Sequence, residues 1–215
     1  MRAKAKRWGG RTGAERRAER RQRLIDAATE IWSESGWAAV TMRGVCSRTS
    51  LNDRYFYEDF KTRDELLVAA WDGVRNEMLG EVSATLAERA EQPPIETIRV
   101  TISMVVDRIA RDPGRAKILL AQHVGSSPLQ DRRAVALQEA THLVVAASKP
   151  HLRPDADETA LRMDTLVAVG GFVELITAWH AGLLDVSQEE IVEHTSRLAE
   201  TLAERYLVDA DISRQ

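Results

Sequence analysis

The chain has 215 residues, 44% of them hydrophobic and 29% charged. That is the composition of an ordinary globular protein with a core to bury, built as one large domain or as a small module joined to a larger one. The single cysteine, Cys46, excludes an internal disulfide framework and a multi-cysteine zinc site and fits a reducing cytosol. No apolar run of signal-peptide length follows the basic N-terminus, so a cytoplasmic location is expected.

The net charge of −3 on its own argues against a nucleic-acid partner. Its distribution argues the other way. Residues 1–25 carry ten Arg and Lys against Glu15 and Glu19, residues 26–66 carry five basic and eight acidic residues, and the rest of the chain is acidic. A basic front and an acidic back suit a protein whose front alone meets a polyanion, because phosphate contacts dominate nucleic-acid affinity. A solvated basic arm with no partner has the same composition.

Residues 1–13 lack periodicity and contain Gly9-Gly10, which predicts a flexible basic arm. From Ala14 a helical pattern begins, with Leu24, Ile25, Ala28, Ile31 and Trp32 on one stripe and Gly36 as its end. Thr41 is a good N-cap for a short helix from Met42 to about Arg48. Thr49-Ser50-Leu51 make a turn, and Asn52 caps a second short helix to about Tyr57. Thr62 and Glu65 have capping-box spacing and open a long helix to about Arg89.

Gln92-Pro93-Pro94 breaks the chain before a helix over 95–111. Asp112-Pro113 opens a short helix to Leu120. Gly125 to Pro128 repeats that logic before a helix to Ser148. Asp155 with Glu158 is read as the cap of a long helix to about Leu183, and Ser187 with Glu190 as the capping box of a last helix to about Leu207. The apolar run over 165–184 approaches bilayer-spanning length, but Glu174 near its centre favours a buried helix over a membrane span. The expectation is an all-α fold of nine helices with no strand: an arm over 1–13, a first helical domain over 14–61, a larger domain over 62–207 and a tail over 208–215.

The segment from Thr41 to Tyr57 has the anatomy of a helix-turn-helix, two short helices joined by a tight turn on a longer one. Short helices are marginal alone, so Val45, Leu51 and Phe56 are expected to pack on Ile31, Trp32 and Leu67. Arg54 and Tyr55 would then point outward. Arginine reads guanine through two hydrogen bonds in the major groove, and the helix N-termini at Met42 and Asn52 can offer backbone N–H groups to phosphate. An ordinary charged helical hairpin has the same spacing.

The residues of this stretch, GWAAVTMRGVCSRTSLNDRYFYEDFKTRDEL, resemble the N-terminal region of the tetracycline-repressor (TetR) family. Gly36, Val40, Thr41, Val45, Tyr57, Phe60, Glu65 and Leu66 stand where that family places such residues, and the likeness covers roughly residues 22–70. It implies a homodimer of nine-helix subunits that binds double-stranded DNA through helices one to three and a small-molecule effector through the remainder, with repression as the default. By resemblance Thr41, Tyr57 and Arg63 are phosphate candidates, and Arg43, Arg54 and Tyr55 are base-edge candidates, with Asn52 at the helix start. Thr49-Ser50 replaces the family's frequent Ala-Gly. A non-glycine residue in the left-handed conformation costs about 1 kcal/mol, so a tilted turn or a self-bonded Ser50 is expected. Asp53, Glu58 and Asp59 are unhelpful charges beside DNA, which the basic arm would offset in the minor groove.

The resemblance also implies that the last two helices pair with their mates in a dimer. Small and apolar residues mark the candidates: Gly170, Gly171, Val173, Thr177 and Ala178, then His194, Leu198 and Leu202. A two-fold dimer suits a palindromic operator with half-sites about one DNA turn apart. Met104, Ile118, Leu119, His123, Leu137, Thr141, Met163, Val167 and Trp179 are candidate linings of a pocket for a mostly apolar effector, although each is also an ordinary core residue. No Gly-rich phosphate loop, His-Glu-x-x-His cluster or nucleophile elbow is present, so neither catalysis, a metal nor a cofactor is expected. A small helical enzyme and a protein-binding helical scaffold remain as alternatives.

Overall fold

The computed structural model describes residues 12–208; the expected arm up to residue 11 and the tail from residue 209 fall outside them. The described residues are helical, and their nine α-helices are α1 (Gly13–Ser35), α2 (Met42–Thr49), α3 (Asp53–Asp59), α4 (Arg63–Glu88), α5 (Pro94–Arg111), α6 (Pro113–Leu120), α7 (Ser127–Ser148), α8 (Glu158–His180) and α9 (Gln188–Tyr206). Short 3-10 turns occur at Trp37–Ala39 and Lys149–His151. The only extended pairing among the described residues is an isolated antiparallel bridge between Leu152 and Leu207. No helix among them is long and apolar enough to cross a membrane.

The helices begin where side chains can satisfy their first N–H groups. Thr41 accepts from Gly44 at 3.1 Å, Asn52 from Tyr55 at 3.2 Å and Asp112 from Arg115 at 3.0 Å. Ser187 and Glu190 form a reciprocal capping box, and so do Thr12 and Glu15, which place the start of α1 one residue before the expected Ala14. At α4 the expected box is only half made. Thr62 accepts from the Glu65 N–H, while the Glu65 carboxylate reaches past it to the Lys61 N–H.

Two expected boundaries are corrected. The cap of α8 is Asp157, whose carboxylate accepts from Thr159 at 2.8 Å and Ala160 at 3.1 Å, and not Asp155. The helix ends at His180 instead of near Leu183, because Gly182 takes a left-handed φ of 72° that turns the chain out.

The chain divides into two compact units between Gly73 and Val74. In the first, α1, α2 and α3 pack on one another. Leu24, Ala28, Trp32, Val45, Phe56, Phe60, Leu66, Leu67 and Trp71 are all buried, so the amphipathic stripes of these helices face inward as their periodicity predicts. In the second unit α5 packs along α9 and α7 along α8. One core there gathers Ile102, Val106, Ile109, Ala116, Leu120, Ile176 and Ile191, and a smaller one holds Leu161, Ala203, Tyr206 and Leu207.

Candidate nucleic-acid interface

The interface is built from α2, the turn after it and α3. Val45 and Cys46 of α2 and Phe56 of α3 are buried, and Phe56 lies 5.9 Å from Phe60, ring centroid to centroid. Leu51 is half-buried. With these side chains inside, the helical period places Arg43, Arg54 and Tyr57 on the opposite, exposed faces. Burial, and then the Asp53 carboxylate beside it, push the Cys46 thiol up, so it stays protonated and serves as a small core side chain.

The turn keeps full left-handed geometry despite carrying serine. Ser50 has φ 55° and ψ 30°. Its N–H donates to Ser47 O at 3.3 Å, and the Leu51 N–H donates to Cys46 O at 3.1 Å. That pair of bonds is the Schellman closure of a helix end, normally made with glycine. The Thr49 hydroxyl bonds back to Val45 O, and Arg23 of α1 donates to Thr49 O at 2.5 Å. The end of α2 is thus held from both sides, and the turn is not tilted.

The C-terminal end of α3 is held by α1. Arg17 Nε donates to Asp59 Oδ1 at 2.7 Å, and Arg17 Nη2 donates to Glu58 O. The Asp59 side chain is only 1% exposed, and its hydrogen bond holds the Arg17 guanidinium above its ordinary pKa. Arg21 donates to Asp59 O at 3.1 Å and covers the Phe60 ring at 4.2 Å. Arg20 pairs with Glu58 at 3.4 Å and covers the Tyr55 ring at 4.6 Å. Cations over the negative end of a helix are favourable, and each of these arginines also meets an acidic side chain, a carbonyl or an aromatic face.

The expected site residues therefore separate by role. Thr41, Arg43 and Asn52 are exposed on the α2–α3 side, and the side chains of Thr41 and Asn52 are engaged as caps. Arg54 has an 83% exposed side chain and a 3.2 Å pair with Glu58, and Tyr57 is 59% exposed. Tyr55 is half-buried under Arg20. Arg63 is turned inward: Nε donates to Val40 O at 2.5 Å, Nη2 donates to Trp37 O, and its guanidinium lies 5.3 Å from the Trp37 ring centroid. Sequence reasoning missed the contribution of Arg17, Arg20, Arg21 and Glu58. The spacing of the three arginines along one side of α1 was the available signal.

In the second unit Ile118, His123 and Thr141 are buried, and Met104, Leu119, Leu137 and Trp179 are half-buried. Leu119 and Trp179 pack on the same core, and the Trp179 indole donates to Val186 O at 3.0 Å. Met163 and Val167 are not with them; both are exposed on α8, next to exposed Leu166. Val173, Thr177 and Ala178 of α8 and Leu202 of α9 are half-buried, and Gly171, His194 and Leu198 are exposed. Gly170 faces α7, where an added Cβ would lie 4.0 Å from Leu137 Cδ2. A recess lined by Val74, Glu77, Met78, Arg108, Ile109, Arg115, Ala116 and Leu119 has an interior of about 10 Å³, room for one water at most.

Residues 24–70, which hold the capped α2, its turn and α3, match the model of bacterial regulatory proteins of the tetR family. Over that stretch the chain is similar to the N-terminal region of tetR-family regulators. It is 29% identical over 99 residues to the HTH-type transcriptional repressor KstR of Rhodococcus jostii (strain RHA1), covering 44% of this chain and 43% of that protein. It is 40% identical over 58 residues to KstR of Mycolicibacterium smegmatis, covering 27% of this chain and 28% of that one. The chain thus matches less than half the length of these curated relatives. Among solved structures, a transcriptional regulator from Rhodococcus sp. Rha1 superposes with a TM-score of 0.70 at 16% identity, over 87% of this chain and 98% of that one. SmeT in complex with triclosan gives 0.64 at 20% identity, over 89% and 93%. These likenesses show that the TetR-like fold extends beyond the N-terminal helices.

Proposed function

We propose that this chain is a TetR-family regulator, cytoplasmic, sequence-specific in its DNA binding and not an enzyme, acting as a repressor that a small, mostly apolar effector releases from a palindromic operator. The observation that carries the reading is the α2–turn–α3 arrangement, in which every large apolar side chain points inward or is half-covered except Tyr57, while Arg43, Arg54 and Tyr57 project outward. Arg43 and Arg54 read base edges, and Tyr57 with the N-terminal end of α2 at Thr41 contacts phosphate. Arg63 acts from inside, by holding the 3-10 turn that leads into α2.

The subunit pairs with a second copy through α8 and α9. Met163, Leu166 and Val167 on α8 and Leu198 on α9 are exposed large apolar side chains, at helical spacing on α8. Met163 and Val167 belong to this face, and the effector site is drawn from Ile118, Leu119, His123, Leu137, Thr141, Trp179 and Met104. The effector acts by favouring one arrangement of α5 to α8 over another, which is a population shift between states.

Selection of bound duplexes from a random pool, followed by salt-dependent gel-shift titration and release with a small-molecule panel, tests the reading. It expects a two-fold-symmetric site bound far more tightly than random DNA. Equal affinity for all duplexes would refute it.

A further inference from the structure

We propose that Arg20 and Glu58 are positioning residues that set the sequence specificity of the DNA-binding surface, an inference that rests on the DNA-binding reading above. The Glu58 carboxylate bridges two arginines. Its Oε2 meets Arg20 Nη2 at 3.4 Å, and its Oε1 meets Arg54 Nε at 3.2 Å. Arg20 in turn lies over the Tyr55 ring at 4.6 Å. One chain of contacts, Tyr55–Arg20–Glu58–Arg54, therefore orients Arg54, the α3 side chain named as a base-edge reader, from a root on the half-buried Tyr55 ring. The backbone at Glu58 is fixed by Arg17, which donates to Glu58 O and pairs with the buried Asp59 carboxylate at 2.7 Å.

An exposed i, i+4 pair on a free helix orders little. This one differs because its carboxylate is itself tied to the neighbouring helix. The geometry also chooses which edge of Arg54 remains for DNA. An acceptor on Nε leaves the two terminal nitrogens, and that edge forms the paired hydrogen bonds to guanine O6 and N7. A phosphate, by contrast, attracts Arg54 in any rotamer and is repelled by the Glu58 charge. The bridge thus favours a base in one geometry and weakens sequence-independent binding, which is discrimination by penalising the wrong partner.

The test compares affinity for the selected duplex with affinity for a random duplex, over a salt series, with helical content by circular dichroism as the control for folding. In Glu58→Gln, random-duplex affinity is expected to rise severalfold and its salt dependence to steepen by about one ion. The selected-to-random ratio falls roughly tenfold. Arg20→Lys keeps the cation but loses the planar stack and the fork, so the ratio falls severalfold with random-duplex affinity nearly unchanged. In an Arg54→Ala background the Glu58→Gln effect on the ratio disappears, a coupling that a merely structural role would not produce. An unchanged ratio in Glu58→Gln, or the same loss with and without Arg54, overturns the proposal while leaving the DNA-binding reading intact. A parent chain that prefers no duplex overturns both.

Discussion

Replacing Ser50 by glycine isolates the one strained backbone position in the candidate interface. Ser50 is the only non-glycine residue with positive φ among the described residues, at φ 55°. Its conformation is dictated from outside, by the N–H groups of Ser50 and Leu51 closing on Ser47 O and Cys46 O at 3.3 and 3.1 Å. A Cβ in the left-handed region costs about 1–2 kcal/mol, and glycine removes that cost. Glycine also gives the unfolded chain more freedom, which takes back about 0.5–1 kcal/mol. The net expectation for Ser50→Gly is a gain of about 0.5–1 kcal/mol, or about 1–3 °C in Tm for a chain of this size. Ser50→Ala retains the Cβ and is expected to gain nothing, and Ser50→Val, branched where the backbone is most crowded, to lose more than 1 kcal/mol. Urea unfolding followed by circular dichroism, with the midpoints of the three variants compared at constant slope, measures the series. An order in which glycine is no more stable than alanine would refute the reasoning, since the left-handed φ is the one effect that favours glycine, against the unfolded-chain entropy that favours alanine.

Other perturbations test other parts of the structure. Arg63→Ala removes both donors to Trp37 O and Val40 O and is expected to cost about 2–3 kcal/mol, with Arg63→Lys recovering part of it; loss of DNA binding at unchanged unfolding midpoint would instead make Arg63 a phosphate contact. Burial, and secondarily Arg133, lower the His123 pKa from 6.5 to about 4. The unfolded chain therefore takes up the proton first: stability is complete above about pH 6.5 and falls through the window below it, by about 2 kcal/mol at pH 5. That slope should flatten in His123→Gln, as read from urea midpoints across pH. Val167 is 73% exposed in the subunit, so Val167→Asp should leave the subunit folded and shift sedimentation from dimer to monomer; an unchanged dimer would place the subunit interface elsewhere.

The helix order was legible because its punctuation is chemical. Thr41, Asn52, Asp112 and Ser187 each carry an oxygen that must meet a helix N–H, and each does. The same rule fails to choose between Asp155 and Asp157, two residues apart after Pro154, because the turn that settles the choice is closed by a backbone bond from the Ala156 N–H to Arg153 O. Inward faces were legible from periodicity, as with Trp32, Val45 and Phe56. Periodicity does not say what a face packs against, which is why Met163 and Val167 read as pocket linings and stand exposed on α8. Tyr55 and Arg63 sit further inward than their pattern suggests, for one shared reason. Each is an amphipathic side chain whose position depends on a partner distant in sequence, Arg20 in one case and the carbonyls of Trp37 and Val40 in the other.

The basic front of the chain shows what charge counting leaves out. Ten Arg and Lys in the first 25 residues suggest a large phosphate-neutralising surface. Yet Arg17, Arg20, Arg21 and Arg23 are committed within the fold, to Asp59, Glu58 and the backbone carbonyls that end α2 and α3. These arginines offset Glu58 and Asp59, two of the three acidic residues that looked unfavourable beside DNA, and they set α3 in place. Each phosphate contact contributes about 0.9 to the slope of log affinity against log salt. A subunit whose four clasp arginines release no counterions should therefore show a slope shallower by about 3–4 than its basic count implies. A salt titration on the selected duplex measures this. A slope matching the full count would mean that the clasp opens on DNA and that α3 is held by something else.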